Sequence, residues 1–135
     1  MKKVIAIVGP TATGKSELGI KLARKFSGEI ISADSRAIYK HLSIGTAKPP
    51  GKWSTLKISG RAFLEYFVYK GIKHHMVDFL DPEKTFSAFN FATRAQKLFR
   101  AIKLPIVVGG TGFWIDALFN PNLLGQVGPD RKSVV

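Results

Sequence analysis

The sequence contains no cysteine, which excludes disulfide bonds and thiolate-held metals and leaves stability to packing and hydrogen bonding. It also lacks any apolar run approaching the roughly 18 to 20 residues that a membrane-spanning helix needs. The opening "MKKVIAIVGP" is broken by Gly9 and Pro10 too early to read as a secretory leader. The expectation is a cytoplasmic protein with no membrane partner. Acidic residues are scarce: 9 Asp and Glu stand against 21 Lys and Arg, a formal net charge of +12 on 135 residues. Such an excess suits a polyanionic partner such as nucleic acid, or else simply a well-solvated basic surface. Low-complexity tracts and internal repeats are lacking too. What is present is a globular composition, 45% hydrophobic and 22% charged, in a chain long enough for one small domain with its own core.

Residues 4–8 form a short β-branched apolar run ending in glycine, the pattern of a buried parallel strand. Leu18, Leu22, Ala23 and Phe26 then recur at helical spacing, so the pattern predicts an amphipathic helix over 16–26, closed by Gly28. "EIISAD" (29–34) reads as a second buried strand. Over 87–102, Ala88, Phe91, Ala92, Ala95, Leu98, Phe99 and Ile102 mark one face of a helix, with Ser87 placed as its cap. "LPIVVGGTG" reads as a third buried strand running into a glycine turn, and "FWIDALF" as a further short helix. Alternating strands and helices predict an α/β fold around a parallel sheet. Between residues 50 and 73, β-branched and aromatic residues separated by glycine predict a β-hairpin inserted into that frame.

The chemistry begins at "GPTATGKS", which spells G-x-x-x-x-G-K-S from Gly9 to Ser16 between an apolar strand and a helix. Glycines at 9 and 14 let successive backbone N–H groups of Gly9, Pro10, Thr11, Ala12, Thr13 and Gly14 curl toward a phosphate, proline excepted, and the helix start adds its positive end. Lys15 supplies a full charge to the outer phosphate oxygens. The Ser16 hydroxyl is the expected ligand for a magnesium ion bridging them. Asp34, after "EIIS", has three readings: a carboxylate holding magnesium through water, a general base, or the N-cap of a helix over "SRAIYKHL". Ser35 and Arg36 reach the same rim. His74 and His75 are adjacent, so on a strand they face opposite ways and cannot chelate one metal. Asp78 and Asp81 suit the rim or solvated turns. Trp53, Phe67 and Tyr69 suit RNA stacking or hairpin core, and Phe113 and Trp114 suit an apolar pocket or helix packing.

"GPTATGKS", "ISADSRAIYKHLSIGTAKP", "HHMVDFLDPEKTFSAFNF" and "PIVVGGTGFWIDAL" together resemble, in order, the successive blocks of the tRNA dimethylallyltransferase family. The resemblance implies a P-loop NTPase-like parallel sheet flanked by helices, with residues 1–119 as a prenyltransferase core carrying an insertion at 51–73, and 120–135 as an irregular tail. It implies transfer of a dimethylallyl group from dimethylallyl diphosphate to the exocyclic N6 of the adenosine 3′ of a tRNA anticodon, with Mg2+, by a monomer. On that resemblance Gly9 to Ser16 holds the diphosphate of the donor, with Thr11 and Thr13 adding hydroxyl contacts. Asp34 and Thr111 are the catalytic positions, and Asp34, Ser35, Arg36, Ala37 and Thr111 face the tRNA anticodon loop.

The chain departs from the family where Ala37 replaces a common glutamine, where 51–73 is longer than the usual connection, and where the sequence ends soon after "GGTG", as a fragment would. Two other functions share the loop: a small nucleotide-dependent phosphotransferase using ATP, and a chain that binds diphosphate or RNA without turnover.

Overall fold

The computed structural model describes residues 3–9, 14–41, 48–60, 62–110 and 112–120. In chain order the elements are β1 (Ile5–Val8), α1 (Lys15–Phe26), β2 (Glu29–Ser32), β3 (Lys52–Ser59), β4 (Ala62–Tyr69), β5 (Ile72–His75), α2 (Ala88–Ala101), β6 (Pro105–Gly109) and α3 (Gly112–Phe119). The strands make one six-stranded sheet in the order β1-β6-β2-β5-β4-β3. The first four run parallel. The expected hairpin is β3 and β4, and it is continuous with the parallel sheet, because β4 pairs antiparallel with β5, which in turn pairs parallel with β2.

Strand periodicity sorts the core into two layers. Consecutive residues of a strand point to opposite faces, so Ile30, Ile106 and Val108 meet Ile20 and Ala23 of α1. Their neighbours Ile31 and Val107 meet Phe91, Ala95, Trp114 and Leu118 of α2 and α3 on the other side. β6 lies between β1 and β2 and under helices on both faces, so its five residues are all buried. β1, expected to be buried, is half-exposed with Val8 53% accessible, since among the described residues it pairs with β6 alone. Phe91 is fully buried and stacks on Trp114 with centroids 4.8 Å apart. Burial of such a ring contributes about 2 to 3 kcal/mol.

The helix ends follow their local chemistry. Ser87 caps α2 through a box in which its Oγ accepts from Asn90 N–H at 3.0 Å and Asn90 Oδ1 accepts from Ser87 N–H at 3.0 Å, a device contributing about 1 kcal/mol. α1 ends differently from the expectation built on Gly28. Ser27 takes the left-handed conformation, φ 56°. Gly28 is required for another reason: a Cβ there would lie 2.8 Å from the Leu104 carbonyl.

Residues 35–38 after β2 form a turn, not the helix that the N-cap alternative for Asp34 would have required over "SRAIYKHL". Backbone bonds join this turn to the segment after β5: Asp78 N–H to Ala37 O at 2.9 Å, Phe79 N–H to Ile38 O at 2.8 Å and Lys40 N–H to Leu80 O at 2.9 Å. Those bonds are satisfied across two loops, where a helix would have satisfied them within one. No helix among the described residues is long and apolar enough to cross a membrane.

Candidate active site

The parallel strands all deliver their C-terminal ends to one rim, where ligands of open α/β sheets collect. β1 brings Gly9 there, its N–H directed at Gly109 O over 3.4 Å. Gly14 stands at the start of α1 with φ 77°, a conformation glycine adopts at no steric cost. Glycine has no side chain to occupy the first-turn amides, and such amides together with the helix dipole are able to hold an anion. Lys15 folds toward the end of β6, so that a Cβ built on Gly110 would lie 3.7 Å from Lys15 Nζ. Lys15 and Ser16 line a single cleft together with Ser32 and Asp34 from the end of β2. Pro10, Thr11, Ala12, Thr13 and Thr111 lie outside the described residues.

Asp34 is half-buried, and its orientation is fixed by the turn that it begins. Its Oδ1 accepts from Arg36 N–H at 2.8 Å and from Ala37 N–H at 3.4 Å. Capping and a chemical role are therefore compatible: one oxygen anchors the turn, while a carboxylate has a second oxygen to offer the cleft. The two serine hydroxyls and the carboxylate are the hard oxygen donors that suit magnesium. Of the residues expected to face RNA, Arg36 is exposed and Ser35 half-buried. Ala37 is 2% exposed and acts through its backbone, donating to Asp34 and accepting from Asp78.

Below the rim the cleft becomes apolar, walled by Ile20, Ile30, Tyr69, Val108 and His74. His74 is 7% exposed and packs edge-on to Phe67 and Tyr69. Its Nδ1 lies 2.9 Å from Ile72 O, and a carbonyl can only accept, so Nδ1 carries the proton. Burial, opposed by that backbone bond and reinforced by nearby His75, lowers the His74 pKa below its ordinary value. His75 points the other way and pairs with Glu29 Oε1 at 2.7 Å, as adjacent strand residues must diverge.

Beside the cleft, Lys48 joins three segments. Its Nζ donates to Tyr39 O at 2.7 Å and to Asp78 Oδ1 at 2.8 Å, with the Lys48 side chain only 5% exposed. Asp78 also accepts from Trp53 Nε1, through Oδ2 at 2.9 Å and its carbonyl at 3.2 Å. Asp78 is thus a rim carboxylate committed to structure, whereas Asp81 is an exposed turn residue. Trp114 packs the helix layer, and Phe113 is 55% exposed. Sequence reasoning assigned nothing to Lys48 and Pro49, although both stand in the quoted "GTAKP"; a lysine between small residues and proline carries no sign of a partner 30 residues away. It also left the cleft wall of Tyr69 and His74 unassigned, since only the sheet order brings β4 and β5 beside β2.

Comparison with known proteins agrees with this geometry. Residues 37–133 match the family model described as IPP transferase. The chain is 45% identical over 138 aligned residues to a tRNA dimethylallyltransferase of Pediococcus pentosaceus, and equally so to one of Levilactobacillus brevis, covering 99% of this chain and 40% of each relative. It thus spans about 40% of the length of the curated relatives it matches. Among solved structures, a tRNA isopentenylpyrophosphate transferase from Staphylococcus epidermidis superposes with a TM-score of 0.71 at 41% identity, over 89% of this chain and 36% of that one. One from Bacillus halodurans gives 0.73 at 34%, over 96% and 39%. A eukaryotic dimethylallyltransferase described as acting on tRNA gives 0.72 at 36%, over 95% and 28%. The match over residues 37–133, which takes in the hairpin, α2 and β6, together with identity of up to 45% to curated members, places this chain in the IPP transferase family.

Proposed function

We propose that this chain carries the donor-binding and base-bearing part of a cytoplasmic tRNA dimethylallyltransferase, which moves a dimethylallyl group from dimethylallyl diphosphate to N6 of the adenosine 3′ of the anticodon. The observation that supports it most is that Asp34 shares one cleft with Lys15 and Ser16. Alkylation of a weakly nucleophilic amine by a diphosphate ester needs both a grip on the leaving diphosphate and a carboxylate to take the amine proton, and this cleft offers both.

In this reading the loop from Gly9 to Ser16 grips the diphosphate, and Lys15 neutralises charge as it develops on the leaving oxygen. Ser16 would hold Mg2+, which when bound adds further charge neutralisation at the same oxygens. The adenine amine attacks the allylic carbon, the carbon–oxygen bond breaks, and the electron pair leaves with the diphosphate. Asp34 accepts the amine proton, for which its carboxylate must come within about 3 Å of that nitrogen. The turn bonds on Oδ1 hold the carboxylate for this step. Such a base reaches its adenosine only when the base is turned out of the anticodon stack. Ser35, Arg36 and Thr111 belong to the tRNA side of the site.

The test is transfer of label from dimethylallyl diphosphate into an anticodon stem-loop with Mg2+, using this chain and a form extended to the length of its relatives. Asp34→Ala is expected to abolish transfer and leave diphosphate binding intact. Consumption of ATP with a phosphorylated acceptor, and no label in RNA from either form, would replace this reading with a phosphotransferase.

A further inference from the structure

On the β3–β4 hairpin, Trp53 presents a large ring to solvent. Trp53 is 44% exposed, whereas its cross-strand partner Phe67 is 3% exposed. Exposure usually leaves a tryptophan free to change rotamer, but here three contacts fix the ring. Its Nε1 bonds both Asp78 oxygens noted above, and Phe67 meets it edge-on at 5.7 Å and 80°. Asp78 is fixed in turn by Lys48. The result is a rigid aromatic surface beside a hollow of about 550 Å³ lined by Lys40, His41, Glu65 and Phe79.

The same bonds tie that surface to the cleft. Trp53 donates to Asp78, Asp78 N–H donates to Ala37 O, and Ala37 N–H donates to Asp34. The ring and the carboxylate therefore share one frame.

We infer that Trp53 is a stacking platform for an unpaired RNA base neighbouring the adenosine presented to Asp34, an inference that rests on the tRNA reading above. An ordered ring loses little conformational entropy when a base stacks on it. Lys40 borders the hollow, and Lys73 and Arg94 line the adjoining groove that Trp53 also borders, so phosphates near a stacked base meet cations. Asp78 is neutralised by Lys48, leaving Glu65 as the opposing charge across the hollow. A base entering ring-first, with its phosphates outward, accommodates that arrangement.

Fluorescence can read the contact directly, because the second tryptophan, Trp114, is 5% exposed. The probes are a synthetic anticodon stem-loop with adenosine 3′ of the anticodon, a fully paired RNA duplex of equal charge, a short apolar peptide, and pyrophosphate with Mg2+. The stem-loop should quench the exposed tryptophan at saturation, and Trp53→Ala should weaken stem-loop binding by about 10- to 100-fold. Trp53→Phe, which keeps an aromatic face, should bind within about threefold of the parent. Unchanged stem-loop affinity in Trp53→Ala, equal quenching by the duplex, or quenching by the peptide in place of the stem-loop would each overturn the inference. Pyrophosphate binding and its loss in Lys15→Ala report the donor site separately. Failure there with the stem-loop results intact would sink the transferase reading and leave the stacking surface standing.

Discussion

The ion pair between Lys48 and Asp78 gives a prediction whose size follows from its burial. Lys48 is 5% exposed and Asp78 24%, so the two charges are not equally shielded from water. Breaking a buried pair by removing one partner costs about 3 to 5 kcal/mol, mostly because the survivor is stranded. Lys48→Met keeps the apolar stem and strands a carboxylate that water and Trp53 Nε1 still reach; about 2 kcal/mol is expected. Asp78→Asn removes the counter-charge of the more deeply buried ammonium, which keeps its bond to the Tyr39 carbonyl, so about 3 kcal/mol is expected. Asparagine also tolerates the φ of 54° at position 78, which removes backbone strain as a competing cause. For a chain of this size these losses correspond to roughly 6 and 9 °C in the unfolding midpoint. Urea titration followed by far-ultraviolet circular dichroism measures both, and the double variant should fall short of the sum by at least about 1 kcal/mol. A milder effect from Asp78→Asn than from Lys48→Met, or strictly additive losses, would refute the reasoning from unequal burial.

Two further outcomes follow from single contacts. Burial lowers the His74 pKa, so between that value and the unfolded value of about 6.5 the unfolded chain binds the extra proton. Stability from His74 is therefore fully present above that unfolded value and is lost as pH falls through this window; urea midpoints should decline across it, and less steeply in His74→Leu. At Gly109, an added Cβ would sit 2.3 Å from Ala33 O and 2.8 Å from Ala33 Cβ, so Gly109→Ala must push β2 and β6 apart at their C-terminal ends. A loss of about 2 to 3 kcal/mol is expected, and an unchanged thermal midpoint would show that the two strand ends yield without cost.

Legibility in the sequence tracked how local the cause of each feature is. α1, α2 with its Ser87 cap and the hairpin could be read directly, because their determinants lie within one helix face or one strand pair. The two faces of β2 and β6 were legible as apolar runs, but which helix covers which face depends on the sheet order. β1 misled for that reason: "VIAIV" carries the composition of a buried strand, whereas its accessibility is set by its place at the end of the described sheet. Gly28 misled in another way, since a glycine after a helix suggests a left-handed cap, and here the need for it comes from Leu104. The cap reading for Asp34 was right about the bond and wrong about the helix, because the amides of "SRAIYKHL" find carbonyl and amide partners in 78–80 that no local pattern reveals.

The sheet order also fixes the distance across which the proposed reaction must work. β6 separates β1 from β2, with Val8 opposite Gly109 and Ser32 opposite Val108. Neighbouring strands are about 4.8 Å apart, so the loop that follows β1 and the carboxylate that follows β2 start from points roughly 10 Å apart. An amine within about 3 Å of the carboxylate and a carbon about 3 Å beyond that amine would occupy most of this gap. The remainder is of the size of the bond from that carbon to a phosphate held at Lys15. With the grip and the base on adjacent strands, the nucleophile and the reacting carbon would have to share one strand spacing; with β6 between them, an in-line arrangement fits. Gly110 would serve this spacing, since a Cβ there would lie 3.2 Å from Gly9 O and 3.7 Å from Lys15 Nζ, on the side of the gap where the phosphate would sit.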